Sequence, residues 1–258
     1  MAWTRTYQDA EPQRINKWLA QSGVCSRREA EALIGQGLVS IDGETVEDAG
    51  RKITHGQTLT LSDSAETALG SAFTAIIHKP RGIVSAQPEP GQIPAARLLT
   101  HDALWGPRGS SIPRKDASLP ALGRLDMDSR GLLILSEDGV LAKALIGPES
   151  DLDKEYLVFV IGEITEDKLA LLRHGLELDG RKLRPAQVEV IADHRLRIVL
   201  REGRNRQIRR MCELVDLKVA DLFRVRIGPL TLGEIPEGRW RPMSPDERTQ
   251  LIGHSISK

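Results

Sequence analysis

The feature that most constrains this chain is a change of hydrophobic period part-way along it. Residues 14–61 hold two short helical patterns and then several short strands. Ile15, Trp18 and Leu19 share one helix face, which Gly23 ends. Ser26 then reads as an N-cap, with Glu29 three residues on to complete a capping box. The second helix turns Ala30, Leu33 and Ile34 inward and stops at Gly35-Gln36-Gly37. Strand signals follow at 39–41, 52–53 and 58–61, with a turn at Asp42-Gly43. Such a unit buries little surface and would be marginal alone. The stretch SDSAETALGSA at 62–72 is small and polar and reads as a linker.

Beyond it the period shortens. Strands are expected at 73–77, 132–135, 156–161, 188–191, 196–200 and 225–227, with helices between them at 139–146, 166–174 and 205–215. The fold class is therefore α+β: a small domain at 13–62, a linker at 63–72, and a larger domain at 73–250 built on a sheet. Residues 1–12 and 251–258 are expected as tails, and 101–119 as a long loop.

A chain of 258 residues has room for one large core and an accessory domain. No apolar run is long enough to span a bilayer. The opening MAWTRTYQDAEPQ lacks the apolar core of a secretory signal. Cys25 and Cys212 lie far apart and fit neither a disulfide framework nor a zinc pattern, so a cytoplasmic protein is expected. Formal charge is balanced, 36 basic residues against 36 acidic, which alone suggests no polyanionic partner. Distribution argues otherwise, because residues 201–226 carry eight basic side chains against four acids.

Four stretches carry chemistry. Arg14 and Lys17 on the first helix, and Arg27 and Arg28 at the start of the second, suit phosphate. The spelling INKWLAQSGVCSRREAEALIGQGLVSIDGETV resembles the S4 RNA-binding domain. Next comes GRLDMDSRGLLILSEDG at 123–139, where Asp126, Asp128, Gly131 and Glu137 match the spacing of a calcium loop. Arg130 stands where a ligand belongs and the flanks read as strand, so calcium is rejected. The wording instead resembles the active-site motif of pseudouridine synthases, in particular the family of RsuA, RluB, RluE and RluF. In that family the residue matching Asp126 is the nucleophile. The third stretch is Lys154-Glu155-Tyr156-Leu157-Val158, whose tyrosine would ordinarily be core but by the resemblance stacks on the target uracil. The fourth, GRNRQIRRMCE at 203–213, offers Arg204, Arg206 and Arg210 to phosphate. The resemblance places Arg209 in a salt bridge with Asp126 and gives Arg124 a supporting role.

The resemblance covers the chain from Arg14 to about Leu251 and is strongest to the RluF type. It implies a pseudouridine synthase domain with a mainly antiparallel or mixed sheet and a central cleft. It also implies isomerisation of a uridine in ribosomal RNA (23S first, a transfer RNA second) by a monomer needing no cofactor and no metal. Met127 and the 101–119 loop depart from many relatives, which leaves the target uridine open. The rival reading is a non-catalytic S4-type RNA-binding or ribosome-assembly factor. Such a factor has no use for Asp126, Tyr156 and Arg209 together.

Overall fold

The computed structural model describes residues 3–106, 112–113 and 119–256. It divides into two compact units: Met1–Thr74 with Ser136–Lys143, and Ala75–Leu135 with Ala144–Lys258.

In the first unit, α1 (Ile15–Gln21) and α2 (Arg27–Gly35) pack over a four-stranded sheet. Its strands are β1 (Thr4–Thr6), β2 (Val39–Ile41), β3 (Glu44–Thr45) and β4 (Thr58–Leu61), in the order β1-β4-β2-β3. The capping box forms as expected: Glu29 N donates to Ser26 Oγ (3.2 Å) and Ser26 N to Glu29 Oε2 (2.6 Å). Two expectations fail here. Of the expected tail at 1–12, the described residues 3–12 are not free, because β1 pairs with β4 and Tyr7 is buried. The reason is aromatic: Trp3 and Tyr7 both meet the Trp18 ring edge to face. Residues 63–72 are not an irregular linker either. Asp63–Gly70 forms α3, whose N-cap Ser62 accepts from Ala65 N, with Asp63 and Glu66 in the first turn.

The second unit is built on a mixed sheet. Its strands are β5 (Thr74–Lys79), β6 (Arg130–Ser136), β7 (Lys154–Ile161), β10 (Gln187–Ala192), β11 (Arg195–Leu200), β12 (Lys218–Ile227), β13 (Leu230–Thr231) and β14 (Trp240–Pro242). They run β10-β11-β7-β12-β6-β5-β14, with β13 on β12. A small hairpin, β8 (Glu177–Leu178) and β9 (Arg181–Lys182), stands off this sheet. Its helices are α5 (Glu166–Arg173), α6 (Gln207–Glu213) and α7 (Pro245–Ile256), while α4 (Gly139–Ile146) is divided between the units, Gly139–Lys143 belonging to the first. Val158 and Val160 of β7 and Ile198 of β11 pack against Leu172 of α5 and Met211 of α6. The alternate residues Phe159 and Ile161 are exposed, as strand pleating requires.

β12 is much longer than the 225–227 expected, because Asp221 and Arg224 interrupt its apolar alternation. Both are held by partners inside the fold: Asp221 pairs with Arg130, and Arg224 Nε donates to Leu132 O. β6 runs parallel to β12, with Gly131 opposite Arg224. A Cβ on Gly131 would lie 2.2 Å from Arg224 O, so only glycine permits this approach. The expected tail at 251–258 begins inside α7, where Leu251 is fully buried. Most of the expected 101–119 loop lies outside the described residues. Among the described residues no helix is long and apolar enough to cross a membrane.

Candidate active site

Asp126 sits on a loop whose backbone is anchored at five consecutive carbonyls. Arg124 O accepts from Arg224 Nη1 (3.3 Å), and Leu125 O from Ser85 Oγ (2.7 Å). Asp126 O accepts from Ser129 N (3.0 Å), Met127 O from Gly82 N (2.8 Å) and Asp128 O from Arg209 Nη2 (3.0 Å). Leu125 N completes the set by donating to the same buried Ser85 hydroxyl. A loop held this way has little freedom left to lose, the condition for aiming a side chain in advance.

The carboxylate of Asp126 faces a cleft of about 570 Å³, within the range of about 300–1,000 Å³ usual for small-ligand pockets. Arg124, Tyr156, Arg204 and Arg206 line the same cleft. Tyr156 reaches it from β7, where it pairs with Ile198 on one side and Arg224 on the other. Its ring is half-buried against the core, leaving an aromatic surface in the cleft wall. Arg124 is exposed at the rim.

The cation beside Asp126 is Arg206, with Nη1 3.7 Å from Asp126 Oδ2. Arg206 is the N-cap of α6 and adopts a left-handed backbone, φ 48° and ψ 33°. For a residue with a Cβ that conformation is uncommon and carries strain. It sends the side chain off the open end of the helix, where the guanidinium forks onto Asp128 (3.0 and 3.2 Å) while facing Asp126.

Arg209, expected on Asp126, makes its ion pair with Asp128 instead, Nε to Oδ2 at 3.3 Å. The reason lies in the helix period. Position 209 shares the inward face with Ile208 and Cys212, so its side chain is buried. From there it donates to Val219 O, Asp128 O and Ser129 Oγ. Nε lies within ion-pair distance of Asp128 but at an angle too poor for a hydrogen bond. Asp128 is thus the shared anion of both arginines. Burial alone would raise its carboxyl, but hydrogen bonding by Arg206 and the charges of Arg209 and Arg206 outweigh that and hold it below the usual range.

Lys79 lies outside the cleft lining but within reach of the charges of Asp126 and Asp128. It belongs to none of the four motifs, although a lysine ending the strand Thr-Ala-Ile-Ile-His-Lys is its own signal. It is fully buried and its ammonium donates to Pro80 O and Ile83 O. Burial pushes it down to about 8, partly offset by the charges of Asp126 and Asp128. Arg224 and Lys154 also line the cleft.

The remaining basic residues divide. Arg14, Lys17, Arg27 and Arg28 are exposed on the first unit and form no ion pair among the described residues. Arg204 and Arg210 are engaged. Arg204 donates to Leu178 O, Arg181 O and Lys182 O, and Arg210 forks onto Asp179.

Comparison with known proteins gives the family. The RNA pseudouridylate synthase model matches residues 74–214 and the S4 domain model residues 13–59. The chain belongs to the RNA pseudouridylate synthase family. Ribosomal large subunit pseudouridine synthase B of Bacillus subtilis is 31% identical over 93% of this chain and 95% of its own length. The dual-specificity RNA pseudouridine synthase RluF of Escherichia coli is 33% identical over 93% of this chain and 78% of its own. A crystal structure of a pseudouridylate synthase superposes with a TM-score of 0.62 at 25% identity, covering 92% of this chain and 99% of that one. This synthase is therefore an isomerase acting on RNA, and the purely binding alternative falls away.

Proposed function

We propose that this synthase converts a uridine of large-subunit ribosomal RNA to pseudouridine, with Asp126 as its nucleophile. The observation that supports this is the loop around Asp126, anchored carbonyl by carbonyl and aimed into a cleft that also holds Tyr156 and Arg206. The substrate class follows from the Bacillus subtilis relative, named for the large ribosomal subunit. The Escherichia coli relative is named as dual-specificity, so a transfer RNA is the second substrate to test.

The reaction exchanges an N1–C1′ bond for a C5–C1′ bond and replaces the hydrogen on C5 with one on N1. Atoms and electrons balance within the nucleoside, so the chemistry calls for no redox partner. Asp126 acts at the sugar, Tyr156 supplies a face for the extruded base, and Arg206 offsets charge on Asp126. Arg124 at the rim supports the flipped nucleotide. Extrusion costs a few kcal/mol, which phosphate contacts by Arg14, Lys17, Arg27 and Arg28 help to offset. A monomer in the cytoplasm is the proposed acting unit. The test is tritium release from RNA labelled at uridine C5, paired with pseudouridine mapping in a deletion strain. A deletion strain whose ribosomal and transfer RNA keep every pseudouridine would sink the proposal.

A further inference from the structure

Of the arginines at 204–210, two are committed to a different structure from the cleft. Arg204 lines the cleft but donates three hydrogen bonds to the hairpin β8–β9, at 2.9 Å to Leu178 O, 3.2 Å to Arg181 O and 2.8 Å to Lys182 O. Its own amide donates to Gln207 Oε1, and its guanidinium lies 3.4 Å from Glu202. Arg210 adds a fork onto Asp179 at the hairpin turn, 2.7 and 3.0 Å. The hairpin is thus held from two sides, by Arg204 ahead of α6 and by Arg210 within it, while Leu178 anchors it in the core.

The hairpin itself is tight. Asp179 and Gly180 both have positive φ, 56° and 69°, which closes a two-residue turn that matches strand twist. What it carries outward is charge. Arg181 and Lys182 are exposed, and neither forms an ion pair among the described residues. Arg184 follows, exposed, with Asp151 at only 3.8 Å. The nearby acids are largely accounted for: Asp179 by Arg210, and Glu202 by Arg184 N and Gln207 Nε2. Glu177, opposite Lys182 in the ladder, is exposed and forms no ion pair among the described residues.

We propose that Arg181 and Lys182 on the β8–β9 hairpin form a phosphate-binding site for the substrate RNA beside the cleft. Arg204 and Arg210, whose place in a basic run suggests phosphate, are the braces that hold that site in place. Availability separates the two pairs. Freeing Arg204 for a phosphate breaks three hydrogen bonds to backbone carbonyls, whereas Arg181 and Lys182 give up only water. The hairpin is rigid, positively charged at its outer strand, and tied through residues 204–207 to the helix that carries Arg206 to Asp126. An RNA strand held there is held in register with the cleft. This site rests on the proposed RNA-modifying function.

The test uses the full chain and a large-subunit ribosomal RNA transcript. Substituting Arg181→Ala and Lys182→Ala together should lower the log–log salt slope of affinity by roughly 0.7–0.9 for each phosphate no longer neutralised, with KM carrying the fall in activity. Both side chains are exposed, so folding is not at issue. An unmoved slope and KM overturn the proposal. So does a result in which Arg204→Gln weakens binding while the double variant does not, because Arg204 would then touch the phosphate itself. Tritium release by the parent, measured alongside, separates this outcome from failure of the enzymatic function: a parent that binds with a hairpin-dependent slope but releases no tritium keeps the site and loses the reaction.

Discussion

The two units carry arginines that look alike in sequence and are used in opposite ways. On the first unit Arg14, Lys17, Arg27 and Arg28 stand in solvent. Around α6 the guanidiniums of Arg204, Arg206, Arg209 and Arg210 all end on carboxylates or carbonyls of the protein. Magnitudes make the difference functional. An exposed ion pair is worth about 0–1 kcal/mol, so a cation already in water is easily handed to a phosphate. Arg209 is buried, and leaving its partners without their donor costs about 1–3 kcal/mol each, so it resists recruitment most. The more exposed guanidiniums of Arg206 and Arg210 are held less firmly, each by a two-point fork onto one carboxylate. The basic residues of the first unit are therefore free for the RNA contacts proposed for them, whereas those around α6 are built into the protein's own contacts.

The largest expected effect tests whether the cleft holds the chemistry at all. Asp126→Asn keeps the shape of the side chain and removes its anion, so tritium release should fall to background while RNA affinity stays near that of the parent. Parental release by this variant would remove Asp126 from the mechanism. Next in size is the contrast between two arginines on one helix. Arg206→Leu should slow single-turnover rates by on the order of 10²-fold with little change in urea midpoint. Arg209→Leu should act first on the fold, since Val219 O, Asp128 O and Ser129 Oγ lose their donor, at about 1–3 kcal/mol per orphaned group. The reverse pattern, a slow but stable Arg209 variant beside an active Arg206 variant, would return the electrostatic role to Arg209. A smaller effect belongs to the first unit: Arg27→Ala with Arg28→Ala should lower the salt slope by roughly 0.7–0.9 per phosphate released and leave the rate on saturated RNA alone. An unchanged slope would show that these exposed cations hold no RNA.

How much of the molecule is legible in its sequence depends on whether the signal is local. The α2 capping box, the helix at Gly139–Ile146 and the core strands follow from period and cap residues, which act over a few positions. The motif around Asp126 is legible as wording, and Asp126, Tyr156 and Arg206 do share one cleft. What cannot be read is who pairs with whom across the fold. The spelling of 203–213 puts Arg209 near the inward face of its helix but does not show that Arg206 leaves the helix end toward Asp126. Residues 1–12 and 62–72 fail for a related reason: polar composition says loop, while Tyr7 on Trp18 and the Ser62 cap are decided by distant or single atoms. Ser85 is hidden because its partner Leu125 lies 40 residues away. The role of Lys79, whose hydrogen-bond partners are local, is hidden because the carboxylates whose charge it feels, Asp126 and Asp128, are distant in sequence.

Lys79 gives the smallest effect and the sharpest sign. It is the extreme of a committed cation, fully buried, with two carbonyls and no carboxylate as its hydrogen-bond partners. Its folded-state value, about 8, lies below the value of about 10.4 for a free lysine. Below pH 8 both folded and unfolded chains carry the proton, and the fold bears the full cost of burying the charge. As pH rises above 8 the folded form releases its proton before the unfolded form does, so the unfolded state binds more protons and stability climbs. Lys79→Met keeps the length and removes the titration, with the loss of the two carbonyl bonds entering as a constant. The parent should therefore gain stability relative to Lys79→Met between pH 7.5 and 9, by on the order of 1 kcal/mol, because every other titrating group is common to both. Urea denaturation at those two pH values decides it. A difference that stays flat would mean Lys79 is already neutral at pH 7.5 or is solvated in the folded chain, and a difference that shrinks would mean that Asp126 and Asp128 hold its charge more strongly than burial opposes it.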